Sequence, residues 1–296
     1  MVLALDFGAT NMRAALIQGK SVKEKKVVKT PKTKKEIISA LLDLIDSYGK
    51  QKTICIGVAS FIRNGLTKNT PNMDFADVQV DKLIGKHTRS KVYVDNDAKC
   101  AGLSEIVYGH GKKYRNYMVM TLGTGIGGAI VFDKKLYRGS GYAGEPGQMF
   151  VGQTKLKYLA AGSAAPQRAL HYSLIELEKV ATGKAVEFRK HDYDLHPMNG
   201  FEIKALADKG DKRALSLYKD MGHDLGIGLL NIAFLVDPEV FIMGGGFSNV
   251  HYVLDEAQRV LKSMDTIDRG IKILHVKLGD DAGLVGASLL EKYPAY

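Results

Sequence analysis

Three short segments combine carboxylates, hydroxyls and glycines in patterns suited to handling phosphate. In Asp6-Phe7-Gly8-Ala9-Thr10-Asn11, Gly8 lets the backbone approach a ligand, Thr10 and the adjacent amides can donate hydrogen bonds to phosphate, and Asp6 can hold hydrated magnesium. Thr121-Leu122-Gly123-Thr124-Gly125-Ile126-Gly127-Gly128 offers a second amide-rich turn with a threonine hydroxyl. Either turn alone is equally well a tight hairpin that binds nothing; two facing each other would clamp a triphosphate from both sides. The third segment, Val94-Asp95-Asn96-Asp97-Ala98, places an acid-amide-acid cluster at a strand end. Asp97 suits a general base there, because an alcohol such as a sugar hydroxyl must lose its proton as a phosphoryl group arrives. Aspartate also suits the N-cap of the helix that follows, so both readings stand on the residues alone. Asp95, on the opposite side of an extended strand end from Asn96, is expected to matter less to the chemistry.

These segments need strands and helices to hold them. The first thirty residues read as three strands, Val2 to Leu5, Met12 to Ile17 and Val22 to Val28, joined by glycine-bearing turns. Ile37, Ile38, Leu41, Leu42 and Leu44-Ile45 form a helical stripe over Glu36 to Tyr48, and Ile54 to Val58 is an apolar run of the kind buried on both faces. A short helix over Val78 to His87, a strand at Val92 to Val94 and a helix from Ala98 to Tyr108 complete an α/β pattern. Strand, glycine turn and strand then restart at Tyr117 to Phe132. Setting Val2 on Val119 superposes the two hairpins at an offset of 117 residues and points to an internal duplication. Further helices are expected over Ala165 to Thr182, Gly200 to Lys209, Lys212 to Leu235, Tyr252 to Met264 and Gly283 to Lys292, with a strand at Val240 to Met243.

A length of 296 residues exceeds what one hydrophobic core usually supports, so two domains are expected. We place them at 1–112 plus 283–296 and at 113–282. The apolar share of 45% and charged share of 25% are ordinary for a soluble globular chain. No apolar run approaches the roughly 18 residues that span a bilayer, and Val2-Leu3-Ala4-Leu5-Asp6 follows the first residue with no basic region or cleavage site, so a cytoplasmic location without a membrane partner is expected. Cys55 and Cys100, the two cysteines, lie in apolar runs that suit neither a disulfide framework nor a cysteine-based zinc site. The net charge of +10 owes much to eight lysines between Lys20 and Lys35 with no interleaved aromatic residue, read as a solvated hairpin face and not as a nucleic-acid surface.

Taken together the residues resemble the ROK group of repressors, open reading frames and sugar kinases over nearly the full length. Leu5 to Asn11 resembles its first phosphate motif, Leu122 to Gly128 its second, and Val94 to Ala98 its catalytic segment, with Asp97 at the base position and Asn96 at a sugar-contacting one. Gly144-Glu145-Pro146-Gly147 resembles the start of the sugar-binding signature, Asn72 a residue near the sugar, and Asp237 to Gly246 the segment that lines the adenosine and ribose. The resemblance implies the two-domain actin-like ATPase (ribonuclease H-like) fold, with the active site in the interdomain cleft. It implies ATP and Mg2+ at Asp6, Gly8, Thr10, Asn11, Thr124, Gly125, Gly244, Gly245 and Gly246, sugar at Asn72, Asn96, Asp97, Glu145 and Gln148, and a homodimer or homotetramer. For Asn72 and for the three glycines, a plain turn is the competing reading.

The departures are as informative. The signature normally continues to a histidine that binds structural zinc together with a following cysteine-rich loop. Here Gln148 takes the histidine position and Val151 to Lys157 replaces the loop without a soft ligand, so no zinc is expected. Lys157 stands where a sugar-contacting glutamate belongs. Both changes fall on the side that faces carbons 1 and 2 of the sugar, which favours a 2-acetamido sugar such as N-acetylmannosamine over glucose, with glucokinase or fructokinase activity, or a non-catalytic sugar-binding regulator, as alternatives. The cluster His191 to His196 reads as an exposed connector and not as a metal site. Asp6 follows only five residues, so no DNA-reading module is expected ahead of it and a repressor role is not expected.

Overall fold

The computed structural model describes residues 1–68, 70, 73–169 and 200–295. Its first half contains β1 (Val2–Phe7), β2 (Asn11–Gln18), β3 (Ser21–Lys29), α1 (Lys34–Asp46), β4 (Thr53–Val58), β5 (Phe61–Arg63), β6 (Leu66–Lys68), α2 (Val80–Thr88), β7 (Lys91–Asn96) and α3 (Asp97–Tyr108). The remainder contains β8 (Tyr117–Leu122), β9 (Ile126–Phe132), β10 (Lys135–Tyr137), β11 (Phe150–Val151), β12 (Thr154–Lys155), α4 (Leu156–Ala160), α5 (Gly200–Asp208), α6 (Lys212–Val236), β13 (Val240–Gly244), α7 (His251–Met264), β14 (Lys272–His275) and α8 (Ala282–Ala287).

Two five-stranded sheets carry the fold, and their strand orders are equivalent: β3-β2-β1-β4-β7 and β10-β9-β8-β13-β14. In each, an antiparallel pair at one side continues into three parallel strands. This repeated order matches the internal repeat expected from the hairpins, but the strands superpose at 115 residues, Val2 on Tyr117, because β1 spans Val2–Phe7 and β8 spans Tyr117–Leu122. The first turn leaves four residues between the paired Phe7 and Met12, the second three between Leu122 and Ile126. Asp6 therefore corresponds to Thr121 and not to Gly123. The sequence match had aligned the glycines of two turns of unequal length.

Alternation along β1 decides where Asp6 goes. Leu3, Leu5 and Phe7 enter a core with Ile37, Leu41, Leu44 and Ile45 of α1, whereas Ala4 faces Cys100 and Leu103 of α3 and Leu284 of α8. Asp6 shares the Ala4 face. The start of α1 is fixed by a capping box between Thr33 and Glu36.

Helix α3 lies between the two sheets. Cys100 and Leu103 pack on the first, while Ala101 joins Tyr117, Val119, Ala129 and Val131 on the second. All residues from Ala98 to Glu105 are buried, so the helix has no solvent stripe over this length. The other face of the second sheet packs Met118, Met120 and Leu122 against α4, α6 and α7. Helix α8 returns the chain to the first sheet, placing Leu284 and Ala287 beside Ala4 and Ala15.

Several sequence expectations need correction here. The last helix is α8 alone, Ala282–Ala287, in place of Gly283 to Lys292. The hairpin β5–β6 and the strand β14 had not been anticipated. Residues 164–169 are helical, and the rest of the helix expected to Thr182, with the segment His191 to His196 and Asn72, lies outside the described residues. The lysine-rich strand β3 is exposed along nearly its whole length, although Lys25 pairs with Asp281 at 2.5 Å. Among the described residues no helix is long and apolar enough to cross a membrane.

Candidate active site

The two hairpin turns meet. Gly8 N donates to Asn11 O at 3.0 Å to close the first turn, and Gly123 N donates to Gly125 O at 2.9 Å to close the second. At their tips Thr10 Oγ1 and Thr124 Oγ1 stand 3.3 Å apart, both on exposed residues. The second turn is further held from the chain after α4, where Ser163 Oγ donates to Thr124 O at 2.6 Å and Gly162 N to Gly123 O at 2.8 Å.

Asp6 sits at the base of the first turn, directly across the β1–β2 pair from Arg13. Arg13 Nη1 donates to Asp6 Oδ2 at 3.0 Å. Burial raises the Asp6 carboxyl above its usual range, and the Arg13 charge offsets part of that effect. Lys25 and Asp281 also act on Asp6, and a side chain at Gly283 would come within 3.1 Å of its carboxyl carbon. A carboxylate at the edge of an amide-lined turn is the kind of oxygen ligand a hydrated divalent cation takes beside phosphates, although Arg13 already occupies Asp6 Oδ2.

Asp97 opens α3 as its first residue, and the cap is Asn96. Asn96 Oδ1 accepts from Lys99 N at 3.1 Å, and Asn96 Nδ2 donates to Ser60 O at 3.1 Å. The N-cap reading of Asp97 is thereby displaced. Asn96 is nearly buried and has most of its amide committed to backbone, so a sugar would meet only its remaining hydrogen-bonding capacity. Close approach of this helix end to the first sheet depends on Gly57, opposite Asp6 in the parallel pair; a side chain there would meet Cys100 Sγ at 3.0 Å and Asp97 Cα at 3.3 Å. Burial, reinforced by the Asp6 charge, raises the Asp97 carboxyl to about 7. That value is useful in a base that must hold and release a proton near neutrality.

Glu145 is the third acid of the group. Burial raises it to about 8, with Lys99 pulling it down and Asp97 pushing it up. Three carboxyls from β1, α3 and the segment before β11 thus share one electrostatic environment. Gln148 belongs to the same segment, and its Oε1 accepts from Lys155 Nζ at 3.0 Å. The Lys157 ammonium lies 4.8 Å from the centre of the Tyr158 ring. Among the described residues no group of three or more His, Cys, Asp or Glu side chains could hold a metal ion.

The triple glycine divides by role. Gly244 ends β13 beside Val276, and Gly245, at φ +83°, packs so tightly on Leu122 that a side chain would meet its carbonyl oxygen at 2.5 Å. A side chain at Gly246 would meet nothing within 4 Å, so this residue presents open backbone next to the second turn. Arg13, Lys99 and Lys155 escaped the sequence reading. Arg13 had one signal, its place across a short turn from an aspartate; Lys99 had its position between apolar neighbours in a helix.

Two equivalent sheets joined through one buried helix, with acids and amide-lined turns converging at their junction, define an actin-like ATPase fold built for phosphoryl transfer. The chain belongs to the ROK family, whose sequence profile matches residues 2–293. It is 29% identical to a glucokinase of Streptomyces coelicolor, covering 99% of this chain and 98% of that one. It is 27% identical to an N-acetyl-D-glucosamine kinase of Haemophilus influenzae, covering 98% and 99%. The structure superposes on a ROK glucokinase from Streptomyces griseus in complex with glucose and AMPPNP with a TM-score of 0.83 at 28% identity, over 98% of each chain.

Proposed function

We propose that the chain is an ATP-dependent sugar kinase that transfers the γ-phosphoryl group to the 6-hydroxyl of a hexose or N-acylhexosamine, with N-acetylmannosamine preferred over glucose. The observation that carries this reading is the convergence of Asp97 with the two facing turns. Asp97 accepts the proton of the 6-hydroxyl, the sugar oxygen bonds to the γ-phosphorus, and the bond from that phosphorus to the β,γ-bridging oxygen breaks to release ADP. Thr10, Thr124 and the amides around Gly8, Asn11 and Gly125 bind the phosphates, and Gly244 to Gly246 line the nucleoside. Asp6 holds Mg2+ through water, and the ion, when bound, offsets phosphate charge. The dividing points 112/113 and 282/283 separate two domains, with the cleft between them as the reaction site and the cytoplasm as its location.

The sugar preference rests on Gln148. With Oε1 occupied by Lys155, its amide presents N–H donors, which suit the carbonyl of a 2-acetamido group. The test is ADP release with glucose, mannose, fructose, N-acetylglucosamine and N-acetylmannosamine. A higher kcat/KM for glucose than for both N-acetyl sugars would overturn the sugar preference, and sugar binding without ADP release would leave a non-catalytic regulator.

A further inference from the structure

Among the described residues Lys99 is the one fully buried lysine, 1% exposed in a helix that lies between the two sheets. A buried ammonium is costly unless hydrogen-bonded and matched by opposite charge. Its Nζ donates to the Gly141 carbonyl at 2.6 Å. Gly141 lies in the loop that leads from β10 to Glu145, so this bond ties α3, two residues beyond Asp97, to the segment that carries Glu145.

Burial pulls the Lys99 ammonium below its usual range; Asp95 and Glu145 oppose that pull, Arg138 reinforces it, and the Cys100 thiol lies in the same group. Asp95 is already engaged: Arg138 Nε and Nη2 donate to its Oδ2 at 3.1 and 3.0 Å, and Asn96 N donates to its Oδ1 at 2.8 Å. Arg138 adds a like charge and Cys100 is a neutral thiol held up by burial. Glu145 is thus the acid in this group without an arginine of its own, and Lys99 is the cation whose charge acts on it.

We propose that Lys99 is a positioning residue of the sugar site, whose buried ammonium anchors the Glu145 loop through Gly141 and supplies the counter-charge that lets Glu145 accept hydrogen bonds from sugar hydroxyls as a carboxylate. The inference rests on the reading of Glu145 as a sugar ligand. Without the ammonium, Glu145 keeps its proton to higher pH, and a protonated acid accepts less well from a hydroxyl. Asp97 titrates in the same site, so turnover is a mixed readout. Sugar affinity, measured without ATP, isolates the binding step.

The experiment is calorimetric titration of the preferred sugar at pH 6 to 9 into the wild type, Lys99→Gln, Lys99→Met, Glu145→Gln and the Lys99→Gln/Glu145→Gln double variant. Lys99→Gln can still donate to the Gly141 carbonyl and lacks the charge; Lys99→Met removes both. Wild-type affinity should rise with pH through the Glu145 titration. In Lys99→Gln that rise should move upward by at least one pH unit, with about tenfold weaker binding at pH 7.5, and in the double variant binding should be no weaker than in Glu145→Gln. Lys99→Met should weaken binding at least as much as Lys99→Gln. A Lys99→Gln profile that coincides with the wild type while Glu145→Gln is impaired overturns the role of Lys99 alone. Normal sugar binding by Glu145→Gln overturns the sugar reading of that residue and the inference with it.

Discussion

Thr10 and Thr124 lie 114 residues apart in the chain and bring their hydroxyl oxygens to 3.3 Å. Each lies in the turn of a hairpin at the same place in an equivalent sheet, so the contact follows from the repeated topology: the two sheets bracket α3, and their glycine turns open at the same end. Neither hydroxyl is buried. A pair of exposed donors on opposing turns, each backed by backbone amides, is what a polyphosphate requires.

The clamp yields the first expectation. Gly125→Val adds a branched side chain to the three-residue turn that Gly123 and Gly125 close, and should weaken ATP by well over threefold, a change above roughly 0.7 kcal/mol. Sugar binding in the absence of nucleotide should be unchanged. Nucleotide titration of the variant is the measurement, and an affinity within threefold of wild type would dismiss the clamp.

Metal content yields the second. With Gln148 bonded to Lys155 in place of a histidine, and no cysteine after Cys100, the purified protein should contain no stoichiometric zinc. Activity should survive chelation once magnesium is restored. One tightly held zinc per chain in elemental analysis would contradict this.

The sequence made the hairpins, the acid-amide-acid segment and the alternation of the first half legible, because glycine at turns and period-two burial are local properties. What it hid depends on distant partners. Lysine reads as a solvent residue, so Lys99 was passed over although every neighbour from Ala98 to Glu105 is buried. Arg13 meets Asp6 only once the register of β1 on β2 is known. The strand β14 is short and half exposed, and has no alternation to mark it. Whether Asn96 or Asp97 caps α3 is a one-residue question that residue preferences cannot answer, since both types serve.

Asp95 illustrates the same limit and gives a third expectation. Its side chain forms an ion pair with Arg138, buried on the Asp95 side and partly exposed on the Arg138 side, and Arg138 also reaches the Tyr293 carbonyl at 3.3 Å. Asp95→Asn is therefore not a neutral control. Removing one partner of a fully buried pair commonly costs about 3–5 kcal/mol, and solvent at Arg138 lowers that figure here, so the variant should unfold at lower denaturant concentration while the folded fraction keeps near-normal turnover. Denaturant titration beside specific activity separates the two. Unchanged stability would mean that the pair contributes nothing.

Asp97→Asn is the decisive substitution. If Asp97 is the base, turnover should drop about a hundredfold to ten-thousandfold while sugar and ATP affinities hold. The competing account, that an effect at this position reports loss of a helix cap, does not apply, because the Asn96 side chain provides the cap and is untouched. Stability should move in the opposite direction from activity. The folded protein holds the Asp97 proton up to about 7, whereas the unfolded chain releases it near the ordinary carboxylate value. Between those two values the folded state binds more protons, so this group's contribution to wild-type stability falls as pH rises through that window and is level above it. Asparagine has no such proton to lose. The thermal midpoint of Asp97→Asn should therefore match the wild type near pH 4 and exceed it increasingly up to about pH 7, while wild-type turnover climbs over the upper part of the same range as the base deprotonates. Near-normal turnover in Asp97→Asn would remove the base. A midpoint difference that ignores pH would remove the burial argument and leave the base assignment to stand on kinetics alone.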